Sequence, residues 1–292
     1  MIPNLFDRRL VRQRRNRAAL RSPPLDYLLR HASGLLAERL RDVRRRFDLA
    51  LDIGCHPDEI DACRGSAGRI GELVVMDPSE AFVRGRGGMG LVADEEALPL
   101  AAASVDLVLA CATLHWVNDL PGTLLQLRHV LKPDGLFLAA LPGAGTLAEL
   151  REVLLEAEIG ERGGAALRIA PFTDVRDAGA LLQRAGYALP VVDVETVTVT
   201  YDHPLKLLAE LRAMGQASAL SERDPGALSR AVLVRAMDLY QRRFAAPSGR
   251  VPASFQFLML AGWAPDPAQP QPRPRGSARL GLARELDPKS SD

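Results

Sequence analysis

The sequence predicts an α/β fold, in which a doubly wound and mostly parallel sheet is covered by helices on both faces. Short apolar runs alternate with helical stretches from residue 47 onward, and each run ends in small or polar residues. A β-branched, alternating run near the carboxyl end is followed by one more strand-like run, which predicts an antiparallel edge. With 47% apolar and 25% charged residues, the 292-residue chain can bury a large core.

The first predicted element is a basic helical cap, residues 1–46. The Pro23-Pro24 pair interrupts its helical pattern. Arginine is concentrated before that break, at Arg8, Arg9, Arg12, Arg14, Arg15, Arg17 and Arg21. Most such helices are solvated faces whose arginine stems pack on apolar neighbours, and a surface for a protein partner is the functional alternative.

The second predicted unit is an α/β domain over residues 47–263. Its seven expected strands are Leu49–Ile53, Leu73–Met76, Leu91–Ala93, Val105–Ala110, Leu136–Leu141, Val191–Tyr201 and Ser254–Trp263. Helical insertions are expected at about 146–186 and 203–244. The first carries a Gly-rich loop over 159–173, and the second contains helices at about 203–215 and 225–244. Residues 264–292 are rich in proline and are predicted to form a disordered tail.

Composition excludes several classes of protein. The 37 basic and 36 acidic residues nearly cancel, so no overall charge draws the protein onto nucleic acid, and none is expected as a partner. The three cysteines show neither disulfide nor zinc-ligand spacing. No apolar run is long enough to span a membrane, and the first twenty residues do not read as a signal peptide. A cytoplasmic protein is therefore expected.

Acidic residues follow three consecutive predicted strands. Asp52 lies just before Gly54, Asp77 ends the second strand, and Asp94 with Glu95 follows the third. In a doubly wound sheet these strand ends line one crevice, where a nucleoside fits. A carboxylate at the second strand end can accept both ribose hydroxyls, so Asp77 is the ribose candidate.

Two further interpretations of the crevice acids stay open. Asp94 is placed to meet an adenine amino group, while the backbone of 52–55 approaches the rest of the ligand. Alternatively, each acid only caps the helix that follows it.

His115-Trp116 follows the fourth predicted strand, where this kind of fold places substrate-facing residues. An indole plane and an imidazole can sandwich a planar group such as guanidinium or adenine. The alternative is that Trp116 only plugs the crevice beside the core. His56-Pro57-Asp58 matches part of an iron site, but no spacing supplies a third ligand, so no metal is expected.

Several stretches, in order, carry a resemblance that covers nearly the whole chain. They are Leu5-Phe6-Asp7-Arg8, Ala93-Asp94-Glu95-Glu96, Leu114-His115-Trp116-Val117-Asn118-Asp119-Leu120-Pro121, Leu131-Lys132-Pro133-Asp134-Gly135, Pro171-Phe172-Thr173, Arg184-Ala185-Gly186-Tyr187 and Val251-Pro252-Ala253. The sequence resembles the class I S-adenosylmethionine-dependent methyltransferase superfamily, whose fold is Rossmann-like. More closely, it resembles the mitochondrial complex I assembly factor five family and its bacterial relatives.

The resemblance implies S-adenosylmethionine as cofactor and a protein substrate, in particular a respiratory complex I subunit. It implies either methyl transfer or arginine hydroxylation, with catalytic roles for His115 and Trp116. Cofactor-binding roles are implied for Asp52, Gly54, Asp77, Asp94, Glu95 and Leu114.

One departure from the family pattern supports a different function. The first loop, Gly54-Cys55-His56-Pro57-Asp58-Glu59, has one glycine where the family is glycine-rich, and glycines let a backbone approach a ligand closely. Asp58 and Glu59 would also repel a cofactor carboxylate. A noncatalytic assembly chaperone with a degenerate cofactor site is therefore the alternative.

Overall fold

The computed structural model describes residues 4–21, 25–54, 57–64, 68–86, 88–222 and 228–270. Its strands are β1 (Phe47–Ile53), β2 (Ile70–Asp77), β3 (Met89–Val92), β4 (Val105–Cys111), β5 (Leu131–Pro142), β6 (Ala188–Tyr201) and β7 (Val251–Trp263). Its helices are α1 (Arg8–Ala19), α2 (Tyr27–Asp42), α3 (Pro57–Asp61), α4 (Glu80–Arg86), α5 (Leu120–Val130), α6 (Ala148–Arg162), α7 (Val175–Arg184), α8 (Pro204–Ala213) and α9 (Arg230–Phe244), with a 3₁₀ turn at Leu114–Trp116.

The strands of the described chain form one seven-stranded sheet in the order β3-β2-β1-β4-β5-β7-β6. β1 to β5 are parallel, whereas β7 runs antiparallel to both β5 and β6. The predicted mostly parallel sheet with an antiparallel edge is thus confirmed. The strand order reverses between β1 and β4, so their carboxyl ends form the crevice in which such sheets hold ligands.

Alternation along the central strands buries both faces of the sheet. In β4, Leu107 and Leu109 belong to one apolar cluster, whereas Val108 and Ala110 belong to the other. All seven residues of β4 are buried, as a strand covered by helices on both sides requires. The two core layers fix the sheet rigidly, and with it the positions of the side chains at its carboxyl edge.

The predicted cap contains two helices with different environments. Leu36 and Leu40 of α2 are fully buried in the larger apolar cluster, so α2 packs as part of the main core. Helix α1 instead lies over the carboxyl edge of the sheet, beginning at Asp7, whose carboxylate accepts a hydrogen bond from the Leu10 amide. The break at Pro23-Pro24 lies outside the described residues.

Boundaries differ from the sequence prediction in three places. Helix α6 continues to Arg162, four residues into the predicted loop, and ends where Gly163 takes a φ of +69°. Strand β5 begins at Leu131, five residues early, because Leu131 pairs with Val105 before an irregularity in the ladder. Helix α9 begins at Arg230, not near 225, and residues 223–227 lie outside the described chain.

The predicted tail also begins later than expected. Ala264 is buried and exchanges hydrogen bonds with the 134–135 turn, so this residue still belongs to the folded domain. Residues 271–292 lie outside the described residues. None of the helices in the described ranges is both long and apolar enough to cross a membrane.

Candidate functional site

Gly54 lies at the end of β1, where the backbone turns away from the sheet. Its φ is +75°, and a Cβ there would lie 2.3 Å from Cγ2 of Thr113 and 3.0 Å from the carbonyl oxygen of Cys111. Glycine is therefore required by the close approach of the β4 end as well as by the backbone angle. Cys55 and His56 of the same loop lie outside the described residues.

The ribose candidate Asp77 is fully buried and is held by an arginine of α1. Nε of Arg15 donates to Oδ1 of Asp77 at 3.0 Å, and Nη2 of Arg15 donates to Oδ2. The Ser79 amide donates to Oδ1 at 2.8 Å. Burial lowers the pKa of Arg15, but its attraction to Asp77 outweighs this, so the pKa is raised and Arg15 stays protonated.

The neighbouring acid, Asp52, is also paired with an arginine. Nη2 of Arg86, the last residue of α4, lies 2.7 Å from Oδ2 of Asp52. The Asp52 side chain is fully buried and that of Arg86 is 5% exposed. Burial of two opposite charges in contact makes this pair a fixed part of the crevice wall.

The acidic residues after β3 bind the beginning of α1. Nη2 of Arg8 donates to Asp94 at 2.7 Å and also contacts the carboxylate of Glu95. Burial lowers the pKa of Arg8, but Glu95 and Asp94 outweigh this and raise it. Burial raises the pKa of Glu95 in spite of Arg8 beside it. Asp94, the adenine candidate, therefore also has an arginine of the chain itself as its partner.

A cavity of about 370 Å³ lies beside the Arg15–Asp77 and Arg86–Asp52 pairs, and that volume is within the range of small-molecule sites. Gly54 and Phe82 line it, together with Arg15 and Arg86. The two arginines, and not the carboxylates behind them, thus form the wall of the cavity. The cavity has the size that a nucleoside cofactor needs, and the acids behind it fit the hydroxyl and amino groups of such a ligand. Asp77 can accept a ligand only when Arg15 no longer pairs with it.

The acids of the first loop are partly neutralised. Nη1 of Arg30, on α2, lies 2.6 Å from Asp58 and 3.9 Å from Glu59. Both Arg30 and Asp58 line the same cavity. Because Arg30 offsets these charges, the repulsion of a cofactor carboxylate is smaller than the sequence alone suggests.

His115 is half-buried in the 3₁₀ turn that follows β4. Nε1 of Trp116 and Nε2 of His115 both lie 3.2 Å from Oε1 of Gln216. Because the indole can only donate, Oε1 is an acceptor and His115 carries its proton on Nε2. Nδ1 of His115 is then an acceptor, and it has no hydrogen-bond partner among the described residues. Burial lowers the pKa of His115 to about 3, so the ring is neutral at physiological pH.

A small apolar cavity of about 70 Å³ adjoins His115, and this volume is large enough to hold a small group. Phe172 and Met214 line it with His115, and the rings of Phe172 and His115 lie 6.0 Å apart. Oγ1 of the nearby Thr113 is buried and likewise lacks a hydrogen-bond partner in the described part of the chain. The cavity therefore combines apolar walls with an unused acceptor.

Trp116 packs away from the cavity beside α1. Its ring meets Phe6 edge-on at 5.3 Å, in a buried cluster that includes Val11 and Leu220. Trp116 also borders a larger apolar cavity of about 440 Å³, again within the ordinary range for ligand sites. Leu114 is fully buried in the core beneath the sheet edge. The catalytic role of Trp116 and the cofactor role of Leu114 stay predictions.

The arginine partners of the crevice acids were not predicted from the sequence. A signal was present, because Arg8, Val11 and Arg15 are spaced three and four residues apart and share one face of a helix. The structure turns that face onto the sheet edge. Gln216, a hundred residues from the His-Trp pair that it joins, had no such signal.

A pH dependence of stability is expected from His115. The unfolded side chain takes up a proton near its ordinary pKa of 6.5, whereas the folded one does so only near about 3. The free energy of unfolding is therefore expected to fall by about 1.4 kcal/mol per pH unit between roughly pH 6 and 4, and to be flat in this contribution above that range. Urea unfolding of wild type and His115→Gln over a pH series measures the difference.

Two controls make this measurement specific. His129 is exposed, so His129→Gln should leave the pH profile parallel to that of wild type. Glu95 acts in the opposite direction, because a raised folded pKa adds stability as the pH falls, and comparison with His115→Gln cancels its contribution. Parallel profiles for wild type and His115→Gln would show that the ring is not held neutral.

Within the described ranges, no group of three His, Cys, Asp or Glu side chains is arranged to hold a metal ion.

Residues 51–139 match a protein family described as a methyltransferase domain. The structure is similar to that of the YcgJ protein from Bacillus subtilis, with a TM-score of 0.54 and 15% sequence identity over 81% of this chain and 99% of that one. This likeness concerns the fold.

Two kinds of curated protein are similar over most of the chain. One is the protein named arginine-hydroxylase NDUFAF5, mitochondrial, from Danio rerio, which is 39% identical over 96% of this chain and 89% of its own length. The other is the malonyl-[acyl-carrier protein] O-methyltransferase of Halorhodospira halophila, which is 32% identical over 88% of each chain.

Proposed function

Because the chain belongs to the NDUFAF5 family and has the class I methyltransferase fold, we propose that it is an enzyme that binds S-adenosylmethionine and modifies a protein side chain. The observation that carries this proposal is the set of buried acids at three successive strand ends, Asp52, Asp77 and Glu95, the first two of which have arginine partners that line one cavity. Burying three carboxylates is costly unless they have a use or firm partners. Bound S-adenosylmethionine would supply a methyl group on a sulfonium, which is a good leaving group.

Each end of the crevice has a distinct task in this proposal. Asp77 accepts the ribose hydroxyls, and Asp94 meets the adenine amino group. His115 orients the substrate, because a neutral imidazole with an unused Nδ1 acceptor can take a hydrogen bond from an N–H group. With a pKa of about 3, His115 is too weak a base to remove a proton from a guanidinium, so we assign it to positioning.

The substrate we favour is an arginine side chain of a protein, which offers several N–H donors to His115. The relatives named arginine-hydroxylases support this class, and the relatives that act on malonyl-[acyl-carrier protein] also use a protein-bound substrate. By the same resemblance we propose a respiratory complex I subunit as the protein and the bacterial cytoplasm as the location. Methyl transfer and hydroxylation differ in the group that they add, and the mass of the product separates them.

A noncatalytic assembly chaperone is the second candidate function. Two ion pairs favour it, Arg15 with Asp77 and Arg86 with Asp52. In both, a side chain of the protein itself occupies the carboxylate that a cofactor would need. In that case the crevice is a structural remnant, and the function resides in partner binding by the exposed arginines of α1.

Calorimetric titration with S-adenosylmethionine decides between the two. Binding in the micromolar range, about 8 kcal/mol, is the expected result for the enzyme. S-adenosylhomocysteine, which lacks the transferable methyl group, serves as the matched ligand and should bind in the same range. If neither ligand binds to the folded protein, the enzyme proposal is wrong and the chaperone remains.

A further inference from the structure

Arg15 stands between the two places where a nucleoside cofactor has to be held. Its guanidinium pairs with Asp77 at the end of β2, and Nη2 of Arg15 lies 3.3 Å from where a Cβ of Gly54 would be, at the end of β1. The same guanidinium lies over the Phe82 ring at 4.7 Å. It therefore reaches both the ribose side and the first-loop side of the cavity.

The described conformation and the proposed function place competing demands on Asp77. Both oxygens of this carboxylate already accept from Arg15, and Arg15 is the residue that faces the cavity. A ribose can reach the carboxylate only if the guanidinium moves aside. The free protein thus carries an internal competitor for its own cofactor anchor.

Arg15 cannot simply move into solvent, because α1 is tied down around it. Phe6 and Leu220 form a β-bridge, and the Asp7 amide donates to the Ala219 carbonyl at 2.8 Å. Nη1 of Arg14 donates to the Ala217 carbonyl at 2.6 Å. With the helix held, the displaced guanidinium remains at the cavity wall. A buried guanidinium without an anion is strongly unfavourable, so it needs a new carboxylate there.

We propose that Arg15 exchanges partners when the cofactor binds. Its guanidinium moves away from Asp77 and pairs with the amino-acid carboxylate of the cofactor. This inference rests on the proposed function and assigns Arg15 as the residue that selects an amino-acid-bearing nucleoside over a bare one. The ribose hydroxyls donate hydrogen bonds to Asp77, and the carboxylate of the ligand replaces Asp77 as the anion that pairs with Arg15. Adenosine offers the hydroxyls but no anion, so its binding leaves the guanidinium unsatisfied.

The test compares two ligands on one substitution. Arg15→Gln is expected to weaken binding of S-adenosylhomocysteine about tenfold, because it removes the charge-assisted pair with the ligand carboxylate. It is expected to strengthen binding of adenosine about tenfold, because it removes the competitor for Asp77. Calorimetry on the full chain gives both affinities. Arg15→Lys keeps the charge and should retain the preference for S-adenosylhomocysteine.

Arg84→Gln is the matched control, since Arg84 lies on α4 near the cavity residue Arg86 but forms an exposed pair with Glu80 outside the cavity lining. It is expected to change the two affinities little. Thermal unfolding of each variant verifies that it is folded at the temperature of titration.

Opposite shifts for the two ligands support the exchange. If Arg15→Gln tightens both ligands, Arg15 is only a competitor for Asp77, and the exchange is wrong. If it leaves both unchanged, or if Arg84→Gln is the variant that loses S-adenosylhomocysteine, the assignment to Arg15 is also wrong. Absence of binding by every variant and by wild type contradicts the proposed function itself, a result that the other outcomes do not resemble.

Discussion

Replacing Asp52 with alanine is expected to lower the free energy of unfolding by about 3–5 kcal/mol, because it removes the carboxylate that faces a buried guanidinium. Asp52 lies in the central strand β1 and is fully buried, and its partner Arg86 is 5% exposed. The backbone there is hydrogen-bonded between β2 and β4, which fixes the position of residue 52 in the sheet. Urea unfolding with a two-state analysis measures the loss.

Asp48 offers the matched control on the same strand. It is exposed, so Asp48→Ala should change the free energy of unfolding by less than about 0.5 kcal/mol. The double variant Asp52→Leu with Arg86→Met replaces both charges with apolar groups and should recover most of the loss. If Asp52→Ala is no worse than Asp48→Ala, the pair contributes nothing to stability.

Asp77→Asn, made in an Arg15→Gln background, is expected to lower adenosine affinity about 100-fold, or about 2.7 kcal/mol. A carboxylate accepts both ribose hydroxyls with charge-assisted bonds, whereas an amide offers one oxygen and a donor in place of the other. The Arg15→Gln background is needed because in wild type the same substitution also removes the partner of Arg15. The loss in wild type should therefore be smaller, as interacting residues are not additive.

Calorimetry of the four proteins in this double-mutant cycle measures the effect. Asp94→Asn is the control at the rim of the crevice, where the Asp94 side chain is 41% exposed, and its loss should stay below about tenfold. A loss of less than about threefold for Asp77→Asn in the Arg15→Gln background would exclude Asp77 as the ribose anchor.

The strands of the sheet could be predicted from the sequence because each strand has a recognisable pattern within a few consecutive residues. A run such as Leu107–Ala110 is apolar at every position, and only a strand buried on both faces needs that pattern in so short a span. The acids at strand ends were accessible for the same reason, since Asp77 follows its strand directly. Where the prediction of an element differed, as at Leu131, pairing with a neighbouring strand set the boundary.

The partners of the site residues could not be predicted, because each is distant in the chain. Arg15 reaches Asp77 across 62 positions, and Gln216 reaches His115 across 101. Such contacts depend on how helices dock on a finished sheet, and a run of arginines reads equally well as a solvated face. The position of α1 was thus the decisive fact that the sequence did not contain.

The β-bridge between Phe6 and Leu220 has a consequence for synthesis on the ribosome. Segments 5–7 and 219–221 hold α1 over the crevice, yet more than two hundred residues separate them. The strands β1 to β5 can pair as soon as they emerge, because domains assemble as the chain is made. Until residue 220 leaves the exit tunnel, Phe6 and Trp116 have no Leu220 to pack against, so a nascent chain presents an open crevice that only the completed chain can cover.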